Sequence, residues 1–195
     1  MTRLGVALIA SALVLCAGCA NSSTLSNAGP TAVESATLAP DFPTIDWTNP
    51  QGTLADSLEQ AAGSVEFTPK PPELGQVEAI SVSDPETTDR RDRAIAWVYR
   101  DPVVGDYFVR EMVPTMTQEQ LEQLATCQPG EAGCSTEGWS LQTIRGGISA
   151  LVIYAPESVT VATSVTWLED GVQFTLMAPR STLSDEGAIA LANKV

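Results

Sequence analysis

The four cysteines are the residues of this chain whose type and spacing most directly suggest chemistry. Cys16 and Cys19 have two residues between them, and Cys127 and Cys134 enclose the stretch QPGEAG. Two neighbouring thiols without further ligands cannot close a tetrahedral metal site, so the first pair does not predict bound zinc. The chain contains no histidine, which excludes Ser-His-Asp and Cys-His catalysis and removes the commonest metal ligand.

The segment around the first cysteine pair has the build of an export signal. Arg3 is the only charge before the apolar run LGVALIASALVLCAG, which ends in small residues. A basic start, an apolar centre and a small-residue exit are typical of a secretory signal peptide. The run is shorter than the roughly 20 apolar residues that a transmembrane helix needs, and polar chain follows it directly. We therefore predict export rather than a membrane-spanning helix.

The run CAGC at residues 16–19 resembles the lipobox of bacterial lipoproteins. Gly18 and Ala17 match the small residues that precede the modified cysteine in that family. The resemblance implies that a signal peptidase cuts before Cys19 and that the Cys19 thiol carries a diacylglycerol. The alternative is an ordinary signal peptide cut after Ala17, Gly18 or Ala20, which would leave a soluble secreted protein.

The polar stretch after the lipobox predicts a tether. Residues 20–40 are mostly small and polar with Pro, a composition that cannot form a core and behaves as a flexible linker. The chain then divides into a signal peptide at 1–18, a lipid-anchored tether at 19–45 and one domain at 46–195. Diacylglycerol plus an amino-terminal chain such as palmitate anchors durably, since each buried CH₂ contributes about 0.8 kcal/mol. The expected location is the cell membrane, facing outside the cytoplasm.

The composition predicts an acidic, folded domain. Hydrophobic residues make up 44% of the chain, and the formal net charge is −14. Such a surface repels nucleic acid and anionic lipid head groups. It would suit a basic partner or a divalent cation, although solubility alone is the simpler explanation.

The second cysteine pair predicts a structural disulfide. An exported compartment permits oxidation, and the Gln-Pro-Gly-Glu that follows Cys127 is typical of a tight turn that brings Cys134 within bridging distance. Closing this small loop would stabilise the fold by roughly 2.5 kcal/mol on the chain-entropy argument. A redox role is disfavoured because thiol oxidoreductases use a shorter CxxC spacing.

Capping patterns predict three short helices. Each begins after a Ser or Thr whose side chain can accept a hydrogen bond from the backbone three residues on. In the first two, Asp56 and Gln120 would complete a capping box. The last carries an apolar stripe of Ala188, Leu191, Ala192 and Val195 and is expected to pack on a sheet. The helices are residues 54–63 after Thr53, residues 116–127 with Thr117, and residues 184–195 from Ser184.

Alternating apolar residues and turn dipeptides predict an antiparallel sheet. Two-residue hairpin turns are expected at Gly146-Gly147 and Asp170-Gly171. The second turn predicts a register in which Trp167 opposes Phe174 on the core face. The fold class is therefore α+β: an antiparallel sheet of about seven strands with two or three short helices, the C-terminal one on one face. The strand-like runs are QVEAISVS, AIAWVYR, DYFVREM, WSLQTIR, ISALVIY, SVTVATSVTWLE and VQFTLMA.

The run TSVTWLEDGVQFTLMAPRSTLSDEGAIALANKV at residues 163–195 resembles the end of an uncharacterised extracytoplasmic domain of bacterial anti-sigma-factor-like proteins and lipoproteins. The resemblance covers about 110 residues and implies sensing or binding outside the cell, with no catalytic residue to transfer. The upstream runs PPEL and AIAWVYRD fit the same pattern more loosely. The matching residues are Trp167, Asp170-Gly171, Phe174-Thr175-Leu176 and Ala190-Leu191-Ala192.

The four tryptophans divide into two groups. Trp97, Trp139 and Trp167 lie in predicted strands and are expected in the core rather than as sugar-stacking platforms. Trp47 lies in the proline-flanked run FPTIDWTNP, where it would be either exposed or docked on the domain.

No other motif predicts catalysis, a cofactor or a metal. Phosphate-binding and nucleophile-elbow patterns are absent, and the acids of residues 83–93, interleaved with Arg, predict a solvated loop rather than a calcium site. The leading hypothesis is a non-enzymatic, membrane-tethered binding or sensing module for an envelope protein, peptide or other component. The alternative is a carrier that encloses an apolar ligand between sheet and helices. A glycosidase ranks third, because two acids can meet in space from anywhere in the chain.

Replacing the predicted lipid-bearing residue tests the anchor. Cys19→Ala should release the protein from the membrane fraction, because the acyl chains supply the affinity. Fractionation by ultracentrifugation, with Cys16→Ala as the matched control that stays anchored, measures this. A Cys19→Ala protein that still pellets with membranes would show the lipoprotein interpretation to be wrong.

Overall fold

The computed structural model describes residues 45–126, 139–154 and 162–195, and these form one antiparallel sheet with three α-helices. Two single 3-10 turns lie at Arg90–Asp92 and Arg145–Gly147. The α+β prediction is confirmed, with one strand more than the expected seven. The elements are β1 (Gly52–Ala55), α1 (Leu58–Gly63), β2 (Val77–Ser83), β3 (Ala94–Asp101), β4 (Gly105–Met112), α2 (Gln118–Thr126), β5 (Trp139–Ile144), β6 (Ile148–Ile153), β7 (Ala162–Glu169), β8 (Val172–Pro179) and α3 (Asp185–Ala192).

The sheet consists of two four-stranded meanders that meet side by side. Its strand order is β1-β2-β3-β4-β8-β7-β6-β5, and every neighbouring pair is antiparallel. The chain crosses from the first meander to the second after β4, on the path that includes α2. The seam is the β4–β8 pair, where Val109 opposes Leu176 and Glu111 opposes Phe174.

The β7–β8 hairpin has the predicted register. Trp167 opposes Phe174, and their rings stack with centroids 5.3 Å apart. The turn places Asp170 at φ 51° and Gly171 at φ 77°, as a two-residue hairpin turn requires.

The β5–β6 turn differs from the prediction. Ile144 pairs with Ile148, so the loop holds three residues, Arg145 to Gly147, rather than two. Gly146 and Gly147 both adopt positive φ, and the extra residue lifts Arg145 out of the strand ladder toward the sheet's core face.

The first predicted helix begins later than expected. Residues Gly52–Ala55 pair with β2, so the capping box of Thr53 and Asp56 is wrong. Ser57 is the cap instead: its Oγ accepts from Gln60 N at 3.2 Å, and Gln60 Oε1 accepts from Asp56 N at 2.7 Å. Edge pairing with β2 satisfies backbone groups that a longer helix would have used, so tertiary pairing overrides the local helix signal.

The other two helix starts are confirmed. Thr117 Oγ1 accepts from Gln120 N at 3.2 Å while Gln120 Oε1 accepts from Thr117 N at 2.8 Å, a reciprocal capping box. Ser184 Oγ accepts from Gly187 N at 3.2 Å. Ala188 and Ala192 of α3 are fully buried in the main core cluster, so the C-terminal helix packs on the sheet through its small residues.

Both faces of the sheet are covered in part. The main core contains Trp97 and Trp167, each at most 1% exposed, together with the buried residues of α1 and α3. On the opposite face Trp47 packs against Phe108 with ring centroids 5.8 Å apart. The prediction that Trp97 and Trp167 are core residues is confirmed, Trp139 is half-buried, and Trp47 is docked.

The β7–β8 turn offers a test of the hairpin. Gly171→Ala should lower the free energy of unfolding by about 1 kcal/mol, because an L residue at φ 77° is strained; no atom lies within 4 Å of the added Cβ, so the cost is conformational. The matched control is Asp170→Asn, since Asn tolerates the left-handed region. Urea denaturation at one pH measures both. Equal midpoints for Gly171→Ala and the wild type would contradict the turn.

Candidate functional site

A buried carboxyl group, that of Glu111, is the chemically most distinctive group in the described part of the chain. Successive residues of a strand point to opposite faces, so Glu111 shares the core face of β4 with Tyr107 and Val109. Its residue is 1% exposed. Burial of an acid requires hydrogen-bond partners, and Glu111 has two of them.

The first partner is an indole on the neighbouring strand. Trp97 Nε1 donates to Glu111 Oε1 at 2.9 Å. Trp97 is itself buried in β3, and an indole N–H in a core needs an acceptor. The acid therefore supplies the hydrogen bond that lets the largest side chain of β3 lie in the core.

The second partner is the backbone of the proline-rich loop that precedes β2. In TPKPPELG only Lys70 has a backbone N–H between Pro69 and Pro72, because proline has none. That single N–H donates to Glu111 Oε2 at 3.1 Å. Tyr99 binds the same loop two residues after Lys70, where its hydroxyl donates to Pro72 O at 2.7 Å.

The environment of Glu111 places its titration near neutral pH. Burial raises the pKa of Glu111 to about 7, and the hydrogen bonds from Lys70 and Trp97 and the positive charge of Lys70 only partly oppose this. Burial also raises the pKa of Tyr99, with smaller contributions from Tyr107 and Glu111. The carboxyl therefore exchanges its proton near neutral pH.

Glu111 lies at the inner end of a cleft of about 810 Å³. The walls come from the proline-rich loop, the β5–β6 loop, the β7–β8 turn and Val195, three residues after the end of α3. They combine apolar side chains with six charged ones. The lining residues are Phe67, Thr68, Lys70, Pro71, Pro72, Glu73, Glu111, Arg145, Glu169, Asp170, Gly171, Val172, Phe174 and Val195.

Arg145 closes one side of the cleft. Its guanidinium donates to Glu169 Oε2 through Nη2 and to Ala192 O through Nη1, the latter at 2.9 Å. It also lies over the Trp167 ring at 5.7 Å from the centroid. One side chain thus joins the β5–β6 loop, the end of β7 and the end of α3, and Glu169 is neutralised by it.

The other base of the cleft is also paired. Lys70 Nζ lies 3.9 Å from Asp170 Oδ2, and both side chains are exposed, so the pair contributes little to stability. Among the described residues neither Glu111 nor Glu73 forms an ion pair. The cleft therefore holds two acids without a basic partner.

The site residues predicted from sequence are not among those that the structure describes. Cys19, Cys127 and Cys134 fall outside the described residues, so lipid attachment and the disulfide stay predictions. Glu111 was missed, although DYFVREM carries a signal: an acid at the position where alternation requires an apolar residue.

The acidic loop at residues 83–93 is held by its arginines. Arg93 Nε donates to Thr88 O at 2.8 Å, and Arg90 Nε donates to Val65 O at 3.2 Å. In the described ranges no group of three or more His, Cys, Asp or Glu residues is arranged to hold a metal ion.

Comparison with known proteins adds no relative. No protein family, curated protein or solved structure matches this chain. None of the helices in the described ranges is both long and apolar enough to cross a membrane. The two resemblances found in the sequence therefore stay predictions, and the site must be interpreted from its own geometry.

Titration of Glu111 predicts how stability depends on pH. The pKa of Glu111 is higher in the folded state than its ordinary value of 4.5. Between pH 4.5 and 7 the folded chain therefore binds more protons than the unfolded chain does. The free energy of unfolding should fall by roughly 3 kcal/mol as pH rises through this range. Glu111→Gln should remove most of that fall, while also costing about 1–2 kcal/mol at pH 4.5 because one oxygen then serves two donors.

Urea denaturation across this pH range measures the effect against a matched variant. Glu78→Gln, on an exposed position of β2, should keep the wild-type slope. Parallel pH profiles for the wild type and Glu111→Gln would show that Glu111 does not titrate as described.

Proposed function

We propose that this protein is a membrane-tethered extracytoplasmic lipoprotein whose domain binds a small ligand in the Glu111 cleft without converting it. The observation that carries the proposal is a cleft with a buried, unpaired carboxyl at its inner end. Small-molecule sites are typically concave, between about 300 and 1,000 Å³, mostly apolar, and supplied with a few polar groups that orient the ligand. The cleft has this size, and its lining combines apolar side chains with a larger share of charged ones than is typical.

The filled core favours such a binding module over a carrier of an apolar ligand. A carrier needs space between α3 and the sheet. Ala188 and Ala192 have no exposed surface there, and they belong to one core cluster with Trp167 and Leu176, which are equally buried. The open space lies beside the helix end and is lined by charges as well as apolar groups.

The states of the other glutamates in the cleft favour binding over catalysis, since Glu169 is ion-paired and Glu73 is solvent-exposed. Hydrolysis by paired carboxylates uses one as acid and one as base or nucleophile. Glu169 lines the same cleft, but its Oε2 accepts from Arg145 and, at 3.4 Å, from Trp167 Nε1. An acid engaged in an ion pair supports structure rather than proton transfer.

The predicted anchor would hold the domain near a membrane surface. The lipobox-like residues 16–19 and the polar tether after them support attachment through Cys19, with the domain outside the cytoplasm. The acidic surface argues against nucleic acid as a partner. A tethered domain of this kind samples ligands near the envelope, as a sensing or binding module requires.

Native mass spectrometry of the full-length protein tests the proposal. After incubation with small-molecule extracts of bacterial envelopes, we expect a retained mass of roughly a few hundred daltons, the size that such a cleft holds. Thr68→Trp, at an exposed cleft position, should abolish retention by filling the space. Thr143→Trp on the exposed edge strand β5 is the matched control and should retain the mass. A bare protein mass with every extract, or equal retention by Thr68→Trp, would contradict ligand binding in the cleft.

A further inference from the structure

The charge balance of the cleft carries information about its ligand. Six charged side chains line it: two bases and four acids. Arg145 is paired with Glu169, and Lys70 with Asp170. Among the described residues Glu111 and Glu73 form no ion pair, and the positive charge of Lys70 only partly opposes the effect of burial on Glu111. The cleft therefore has an excess of acidic side chains, which a positively charged ligand would balance.

Resting on the proposed function, we infer that the ligand is a small amphipathic cation, an ammonium group attached to an apolar or aromatic body. Its ammonium meets the Glu111 carboxyl, and its body packs on the aromatic walls. Phe174 opposes Glu111 directly across the β4–β8 seam, so an aromatic ring adjoins the carboxyl. Phe67, Pro71 and Pro72 supply the facing wall from the loop.

Hydrogen-bond capacity allows this role for Glu111. A carboxylate offers about four acceptor positions on its two oxygens. Trp97 Nε1 occupies one on Oε1, and Lys70 N occupies one on Oε2. Two positions are left for a donor-bearing ligand, and the two existing hydrogen bonds hold the group in place before the ligand arrives.

The other ligand classes fit less well. An anion would meet unpaired acids within a protein whose formal net charge is −14, and like charges in a partly buried site repel. A neutral ligand would gain no charge–charge attraction from the ionised Glu111 carboxylate. A purely apolar ligand would displace water from the charged side chains of the walls without replacing its hydrogen bonds, which costs free energy.

Cation binding would be linked to the proton on Glu111. The charged and titratable groups around it are Lys70 and Glu73 from the loop, Arg145 from the β5–β6 turn, Glu169 and Asp170 from the β7–β8 hairpin, and Tyr99 from β3. Burial raises the pKa of Glu111 to about 7, so its charge changes near neutral pH. Affinity for the cation should rise about tenfold from pH 6 to pH 8, as the ionised fraction rises.

Three probes with one apolar body and different head groups test the inference on the full-length protein: phenethylammonium, phenethyl alcohol and hydrocinnamate. Proton–nitrogen correlation spectra report directly, since the Trp97 indole and Lys70 amide both donate to Glu111. We expect phenethylammonium to bind at least tenfold more tightly than the other two at pH 8. It should also move the midpoint of the Trp97 pH titration below 7.

Two variants separate the contribution of Glu111 from the rest of the cleft. Glu111→Gln should remove the preference for phenethylammonium and its pH dependence, and Glu78→Gln, outside the cleft, should keep both. If Glu111→Gln does not fold, the comparison of the three probes on the wild type still decides the inference.

The outcomes distinguish this inference from the proposed function. Binding of all three probes with equal affinity would overturn the cationic preference and leave the cleft as a binding site. Preference for hydrocinnamate would overturn it in favour of an anionic ligand. If none of the three perturbs cleft residues, the inference is overturned, and retention of a mass from envelope extracts then decides the proposed function by itself.

Discussion

The hydrogen bond from the Lys70 amide to the Glu111 carboxyl is the interaction on which the site depends. Between Pro69 and Pro72 the loop has a single backbone donor, and burial without an acceptor would cost about 1–3 kcal/mol. The acceptor is a side chain on the core face of β4, at 3.1 Å. This bond fixes the loop as one wall of the cleft and fixes the acid at its inner end. The same burial that makes the bond necessary raises the pKa of the acid toward neutrality.

The cleft is a product of the seam between the two meanders. Glu111 and the proline-rich loop come from the first meander, whereas Phe174, Arg145 and the β7–β8 turn come from the second. β4 and β8 pair directly, so groups that are far apart in the sequence meet at the seam. Arg145 then ties the second meander to α3 through Ala192 O. A ligand in the cleft would contact both meanders, and its binding free energy would add to the stability of their seam.

Sequence pattern predicted the regular elements far better than it predicted the site. The strands follow from alternation bounded by turns, and the Asp170-Gly171 turn specified the Trp167–Phe174 register because side chains alternate with period two. β1 was missed because Thr53 and Asp56 imitate a helix start, and only β2 decides that this stretch pairs as a strand. The role of Glu111 could not be derived from its neighbours in sequence. Its partners are 14 and 41 residues away, and the burial that shifts its pKa exists only after the sheet has formed.

A purely structural role explains part of what Glu111 does. Two donors, one from an indole and one from a backbone amide, need two acceptor oxygens, and a carboxylate provides them where an amide side chain provides one. That requirement accounts for the residue type but not for the space beside it. A carboxyl that only held the loop would need no open space beside it, and protein interiors are normally close-packed with few voids. Here an open cleft reaches the same group, lined by aromatic rings and by bases that are already paired. The two hydrogen bonds therefore hold the carboxyl in position. The remaining acceptor positions on its oxygens are the ones that a cationic ligand would use.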